Sequence, residues 1–261
     1  MGHRAGRGPV TVALTGRRDG TTHRAVDLLS SLPPELRLIG GLAVMCRVGT
    51  PHRATVDLDA VARDLPRYHD LIVGLAVSAA GGGQYRFAGD FDLDVIDVAP
   101  LAADALIAEV LTHPEPPTDL DLNMIAHTWA HDAATALDLV VVEDGTGAVL
   151  ARARRRLVAS SAGLVAMKAT TVPLRSSSKP EKRASDLYDL GRLLVSGSMV
   201  PADLAAMPDV LRATVVERLD HWFVSDAGRD RTYRDVRRFD EPRLDLDDVV
   251  DHIESLEDKT A

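Results

Sequence analysis

Near residue 158 the sequence changes period, and that change limits what the chain can become. Before it, apolar residues recur in short runs, at 84–87 and 91–98 around Ala88-Gly89-Asp90, and at 137–142 and 148–153 around Glu143-Asp144-Gly145-Thr146-Gly147. Two such runs divided by a glycine-containing turn predict a β-hairpin. After it the spacing is helical, over residues 158–170, 181–196, 201–220, 229–237 and 245–257. Strands with a few helices, then helices alone, predict an α+β chain. A mixed-sheet domain would occupy 1–157 and a helical bundle 158–261. The first part also carries predicted helices at 22–32, 40–47 and 64–77 and strands at 36–39 and 55–60. Residues 1–20 read as frayed, and Gly81-Gly82-Gly83 as a mobile loop before the first hairpin.

Composition narrows the function classes. With 46% apolar and 26% charged residues, the chain has the balance of a globular protein with a sizeable core. It lacks both an apolar run of membrane-spanning length and an N-terminal signal segment, and Cys46 stands alone, so a cytoplasmic protein without an internal disulfide is expected. A net charge of −9 argues against a general nucleic-acid coat protein. Two basic runs break the acidity: Arg152 with Arg154, Arg155 and Arg156, and Lys168 with Arg175, Lys179, Lys182 and Arg183. They fit either a basic groove or two solvated helix faces.

The sharpest chemical signal is acid inside predicted strands. Asp57 and Asp59 lie two apart, so both side chains point to one face. Two carboxylates about 5–7 Å apart repel unless a cation lies between them, and hard divalent cations are held in this way. A solvated edge strand with two incidental acids is the plain alternative. In "FDLDVID", Phe91, Leu93 and Val95 alternate with Asp92 and Asp94, and a neighbouring strand presenting Asp94 would add a third carboxylate. Asp97 is the rival, although parity places it on the apolar face. Gly40-Gly41, between a predicted strand and helix, would let a phosphate approach the backbone at a helix N-terminus.

With these residues in view, "IGGLAV…HRATVDLD" resembles the opening motif of the nucleotidyltransferase superfamily, in the form carried by the AbiEii/AbiGii toxins and their MenT-like relatives. The later stretch "LVAMKATTVPLRSSSKPEKRASDLYDLGRLL" resembles that family's helical lysine motif followed by its D-x-x-D motif, through Lys168, Asp186 and Asp189. Met167 stands where the family has Leu, and Thr170 or Thr171 where Ala is common. The resemblance spans roughly residues 36–195. It implies a nucleotidyltransferase fold and a Mg²⁺-dependent enzyme, with Mn²⁺ as a substitute, that uses a nucleoside triphosphate. Asp57, Asp59 and Asp94 would hold metal, Lys168 would bind triphosphate, and Asp189 would border the active site beside Asp186. Gly40, Gly41, Arg53, Thr55 and Arg175 would contact substrate. It further implies a bacterial toxin with a cognate antitoxin, acting on RNA, with the 3′ end of tRNA the leading acceptor.

Other readings stay open at this level. The acceptor could be a small molecule or a protein hydroxyl, or the chain could be a nucleotide-binding module without catalysis. His127 and His131 have the i, i+4 spacing of a zinc pair, but they lack both the glutamate of H-E-x-x-H and a third ligand. Cys46, Trp129 and Trp222 read as core or interface residues.

Overall fold

Both predicted hairpins form, and four other strands join them in one mixed sheet. In the computed structural model, which describes residues 9–49, 57–175, 179–239 and 242–257, the strands are β1 (Val10–Gly16), β2 (Arg37–Ile39), β3 (Asp57–Arg63), β4 (Ser78–Gly81), β5 (Gln84–Phe87), β6 (Phe91–Val98), β7 (Thr135–Glu143) and β8 (Val149–Val158). Their order is β1-β7-β8-β2-β3-β6-β5-β4. The β1/β7, β8/β2 and β3/β6 pairs are parallel, and the other pairs are antiparallel. In β6 the pattern expected from sequence holds: Phe91, Leu93 and Val95 are buried while Asp92 and Asp94 are only partly covered.

The helices are α1 (Thr21–Ser31), α2 (Gly40–Val48), α3 (Pro66–Val73), α4 (Ala103–Val110), α5 (Asp119–Asp132), α6 (Ser161–Thr171), α7 (Pro180–Val195), α8 (Pro201–Ala205), α9 (Asp209–Leu219), α10 (Asp226–Val236) and α11 (Leu246–Glu257). All described elements after β8 are helical, which gives the α+β division of sheet and bundle. Among the described residues no helix is long and apolar enough to cross a membrane.

Several local expectations need correction. Part of the stretch read as frayed is β1, paired along its length with β7, and its Leu14 is fully buried. Gly81-Gly82-Gly83 is an ordered turn: Val95 N–H donates to Gly83 O at 2.8 Å. A Cβ on Gly83 would lie 2.0 Å from Val95 O, so only glycine permits this approach. The helix expected over 64–77 is shorter, with Pro66 at its first turn, where a missing N–H costs nothing. The helix expected over 201–220 divides into α8 and α9 at Pro208.

Packing sets α2 on β2 and β3, with α6 and α7 against α2. Ser160 caps α6 by accepting from Gly163 N at 3.1 Å, and a Cβ at Gly163 would stand 3.1 Å from Ala130, so α5 and α6 lie close together. α2 packs against β3, α6 and α7. Its C-terminal Arg47 donates to Ala159 O at 2.7 Å and Val158 O at 2.6 Å, tying α2 to the end of β8. Cys46 is core packing as expected, and burial pushes its thiol up to about 12.

Candidate active site

The parallel register of β3 and β6 sets Asp59 beside Asp94 and Asp57 beside Asp92. Period-two alternation turns Asp57, Asp59 and Asp94 to one face, where ligand oxygens from the three lie within 4.8 Å of one another. Asp92 is taken up by Arg86, which donates to both its oxygens at 2.8 and 3.0 Å. Asp97 has the opposite parity and accepts from Leu65 N at 3.0 Å.

Crowded acids show their strain in their proton affinity. Burial, then Asp57, pushes the Asp59 carboxyl up to about 7, with Asp94 and Asp186 adding to the rise and Lys168 opposing it. Burial and Asp57 also raise Asp94, while Lys182 pulls it down. An all-carboxylate donor set in this state suits a hard divalent cation, which would relieve the repulsion.

Gly40 explains how Asp59 fits. Ile39, the last residue of β2, pairs with Asp59, and Gly40 then turns the chain into α2 with φ of +67°. A Cβ on Gly40 would lie 1.9 Å from Asp59 Oδ2. The bare Cα therefore makes room for the carboxylate, a purpose the sequence did not disclose. Gly41 is buried and lines the same cavity.

The opposite wall comes from α6 and α7. Lys168 Nζ lies 3.0 Å from Asp186 and 2.7 Å from Asp189, and Arg175 Nε donates to Asp186 at 3.0 Å. In formal charge these two cations and two acids balance, and of the cations it is Lys168 that eases the crowding at Asp59. Asp186 lines the cavity, whereas Asp189 is fully buried behind Lys168. The space between the walls measures about 470 Å³, ample for a nucleotide.

A family model described as nucleotidyl transferase AbiEii toxin, type IV TA system, matches residues 25–259. The chain belongs to the AbiEii family. No curated protein matches it. Membership makes this AbiEii chain a nucleotidyltransferase toxin of a toxin–antitoxin system, with a nucleotide substrate and an antitoxin counterpart. The matched span runs from α1 into the C-terminus, so it includes both walls of the cavity.

The AbiEii cavity does not gather every residue the sequence pointed to. Arg53 and Thr55 lie outside the described residues. The first basic run is on β8 and contributes nothing to the cavity lining. Its Arg156 is buried and donates to Leu32 O at 3.0 Å and Pro33 O at 2.7 Å, a structural role. From the second run, Lys168, Arg175 and Lys182 line the cavity, and Arg183 pairs with Asp235 at 2.9 Å. His127 and His131 join no ligand cluster among the described residues. His131 Nδ1 lies 3.0 Å from Asp132, while His127 Nδ1 donates to Asn123 O at 2.8 Å and the ring lines the cavity. Burial holds both imidazoles below their usual range. Asn123, also in the lining, was missed; no local pattern marks it.

Proposed function

We propose that this AbiEii protein is a Mg²⁺-dependent enzyme that transfers a nucleoside monophosphate from a nucleoside triphosphate to RNA, with the 3′ end of tRNA as acceptor. The observation that carries the reading is the convergence of Asp57, Asp59 and Asp94 within 4.8 Å, with Asp57 and Asp59 lining a cavity whose far wall holds Lys168 and Arg175. On this reading the three carboxylates hold the metal. Bound there, Mg²⁺ would offset charge on the α-phosphate and on the attacking and leaving oxygens. Mn²⁺ would substitute.

The chain's own groups do the rest. Lys168 and Arg175 bind phosphate oxygens, Arg175 with the planar fork that lysine lacks. The N-terminus of α2 at Gly40 and Gly41 offers backbone N–H groups and the positive end of a helix dipole to the triphosphate. Asp186 and Asp189 position Lys168, so Asp189 acts through that lysine and not by touching substrate. Asp94 takes the proton of the acceptor hydroxyl. Sheet (1–157) and bundle (158–261) are the two units that close on the nucleotide, and the reaction belongs in the cytoplasm.

The test is to incubate the protein with Mg²⁺, each α-labelled nucleoside triphosphate in turn, and total tRNA, with Asp57→Ala as control. Label on tRNA with the wild type alone supports the reading and names the nucleotide. Label on the protein itself or on a small metabolite would replace the acceptor. Transfer that survives Asp57→Ala would remove the metal site from the mechanism.

A further inference from the structure

A second cavity, of about 590 Å³, also borders β6. It forms between the start of α3, the Gly81–Gly83 turn and the second half of β6. Its lining includes His69, Asp70, Tyr85 and Asp97 but no lysine or arginine. Ile96 belongs to both cavities. The pairing of β5 with β6 ends at Gln84↔Asp94, which leaves Ile96 beyond the last pair and 44% exposed. Two residues of one strand thus connect the carboxylate cluster to this second space.

We propose that the second cavity receives the terminal nucleoside of the RNA acceptor. This rests on the nucleotidyl-transfer reading and adds the acceptor's place to it. In an in-line displacement the nucleophile approaches phosphorus opposite the leaving group. The strand order β2-β3-β6-β5 puts α2, which follows β2, on one side of Asp57 and Asp59, and β6 with its Ile96 on the other. With the triphosphate against α2 and Lys168, the acceptor must enter past β6. Its terminal hydroxyl oxygen bonds to the α-phosphorus as the bond from that phosphorus to the oxygen bridging to the β-phosphate breaks. Pyrophosphate leaves with the electron pair, and the hydroxyl proton passes to Asp94.

The chemistry of the walls selects a nucleoside. The Asp70 carboxylate makes no hydrogen bond among the described residues, and one Asp97 oxygen is taken by Leu65 N–H, so acceptor oxygens remain for ribose hydroxyls or base amino groups. Carboxylates without a cation among the lining residues disfavour a phosphate there. Serine or tyrosine side chains would leave most of the volume empty, whereas a base with its ribose fills a space of this class. The aromatic edge is held in place by the 3.0 Å contact between His69 Nδ1 and Tyr85 OH.

Ala79→Trp tests the proposal, because Ala79 is exposed on β4 and lines the second cavity alone. Asp70→Asn is the milder companion. Steady-state transfer should show the RNA acceptor KM raised about tenfold or more for Ala79→Trp and several-fold for Asp70→Asn, with the triphosphate KM within about twofold of wild type. Fluorescence anisotropy with a short RNA oligonucleotide bearing a 3′-hydroxyl should show the same loss. Folded variants of both kinds with wild-type acceptor KM and RNA affinity overturn the subsite while leaving nucleotidyl transfer standing. Wild-type protein that labels a protein or small molecule and never RNA overturns the acceptor assignment itself.

Discussion

Replacing Gly40 by alanine adds one methyl group where β2 turns into α2, and that methyl would collide with the carboxylate it faces. The added Cβ meets Asp59 Oδ2 at 1.9 Å, where ordinary contact begins at 3.4 Å, so the carboxylate must retreat by about 1.5 Å. Metal–ligand distances tolerate about 0.2 Å, and a misplacement of 1 Å at a reacting centre costs about a hundredfold in rate. Alanine at φ of +67° adds backbone strain. Strain and overpacking together should cost about 2–4 kcal/mol, a fall in Tm of roughly 5–15 °C for a chain of this size. Gly49→Ala is the matched control: its φ is +78°, yet a Cβ there meets nothing within 4 Å among the described residues. Gly49→Ala should lose only the backbone contribution, about 1 kcal/mol, and keep its activity. The decisive assay is Tm with and without Mg²⁺, beside nucleotide transfer. Wild type and Gly49→Ala should be stabilised by Mg²⁺, and Gly40→Ala should not. A Gly40→Ala protein that binds Mg²⁺ and transfers nucleotide as well as Gly49→Ala would refute the steric argument.

Four further outcomes follow from the structure. Asp59 has its carboxyl raised from 3.8 to about 7, so between those values the folded protein holds more protons than the unfolded chain. Metal-free stability should therefore fall as pH rises from about 4 to about 7, by at most about 4 kcal/mol, and Asp59→Asn should flatten that slope in denaturant titrations. Mg²⁺ affinity should show the opposite trend, rising over the same window by calorimetry, because the proton competes with the metal. Lys168→Met removes the 2.7 Å ion pair of the fully buried Asp189 and should lower Tm, while Lys168→Met with Asp189→Asn should recover much of that stability but no transfer. Arg156→Ala removes two bonds to the carbonyls of Leu32 and Pro33 and should destabilise by about 2–4 kcal/mol, yet leave transfer per folded molecule unchanged.

How far the sequence could be read depended on how local each cause was. A carboxylate in an apolar alternating run is costly by itself, so Asp57, Asp59 and Asp94 stand out residue by residue, and parity alone turned Asp97 to the other face. The change to helical period after residue 158 is likewise local, and it places Lys168 and Asp186 on the helices that form the far wall. β1 was hidden because its partner, β7, lies more than a hundred residues away, and parallel pairing leaves no turn to mark it. Gly40 was legible as a glycine at a strand-to-helix turn, but phosphate approach and carboxylate clearance demand the same residue, and only the 1.9 Å contact separates them. The same limit governed charge. Arg152, Arg154, Arg155 and Arg156 read as one basic run, yet the left-handed backbone at Arg155, φ of +49°, breaks the alternation and sends Arg156 inward to the end of α1. A one-residue irregularity therefore decides which basic side chains can face a polyanion. On β8 it removes Arg156 from that set, and among the described residues the cations that line the cavity come from the α6–α7 region.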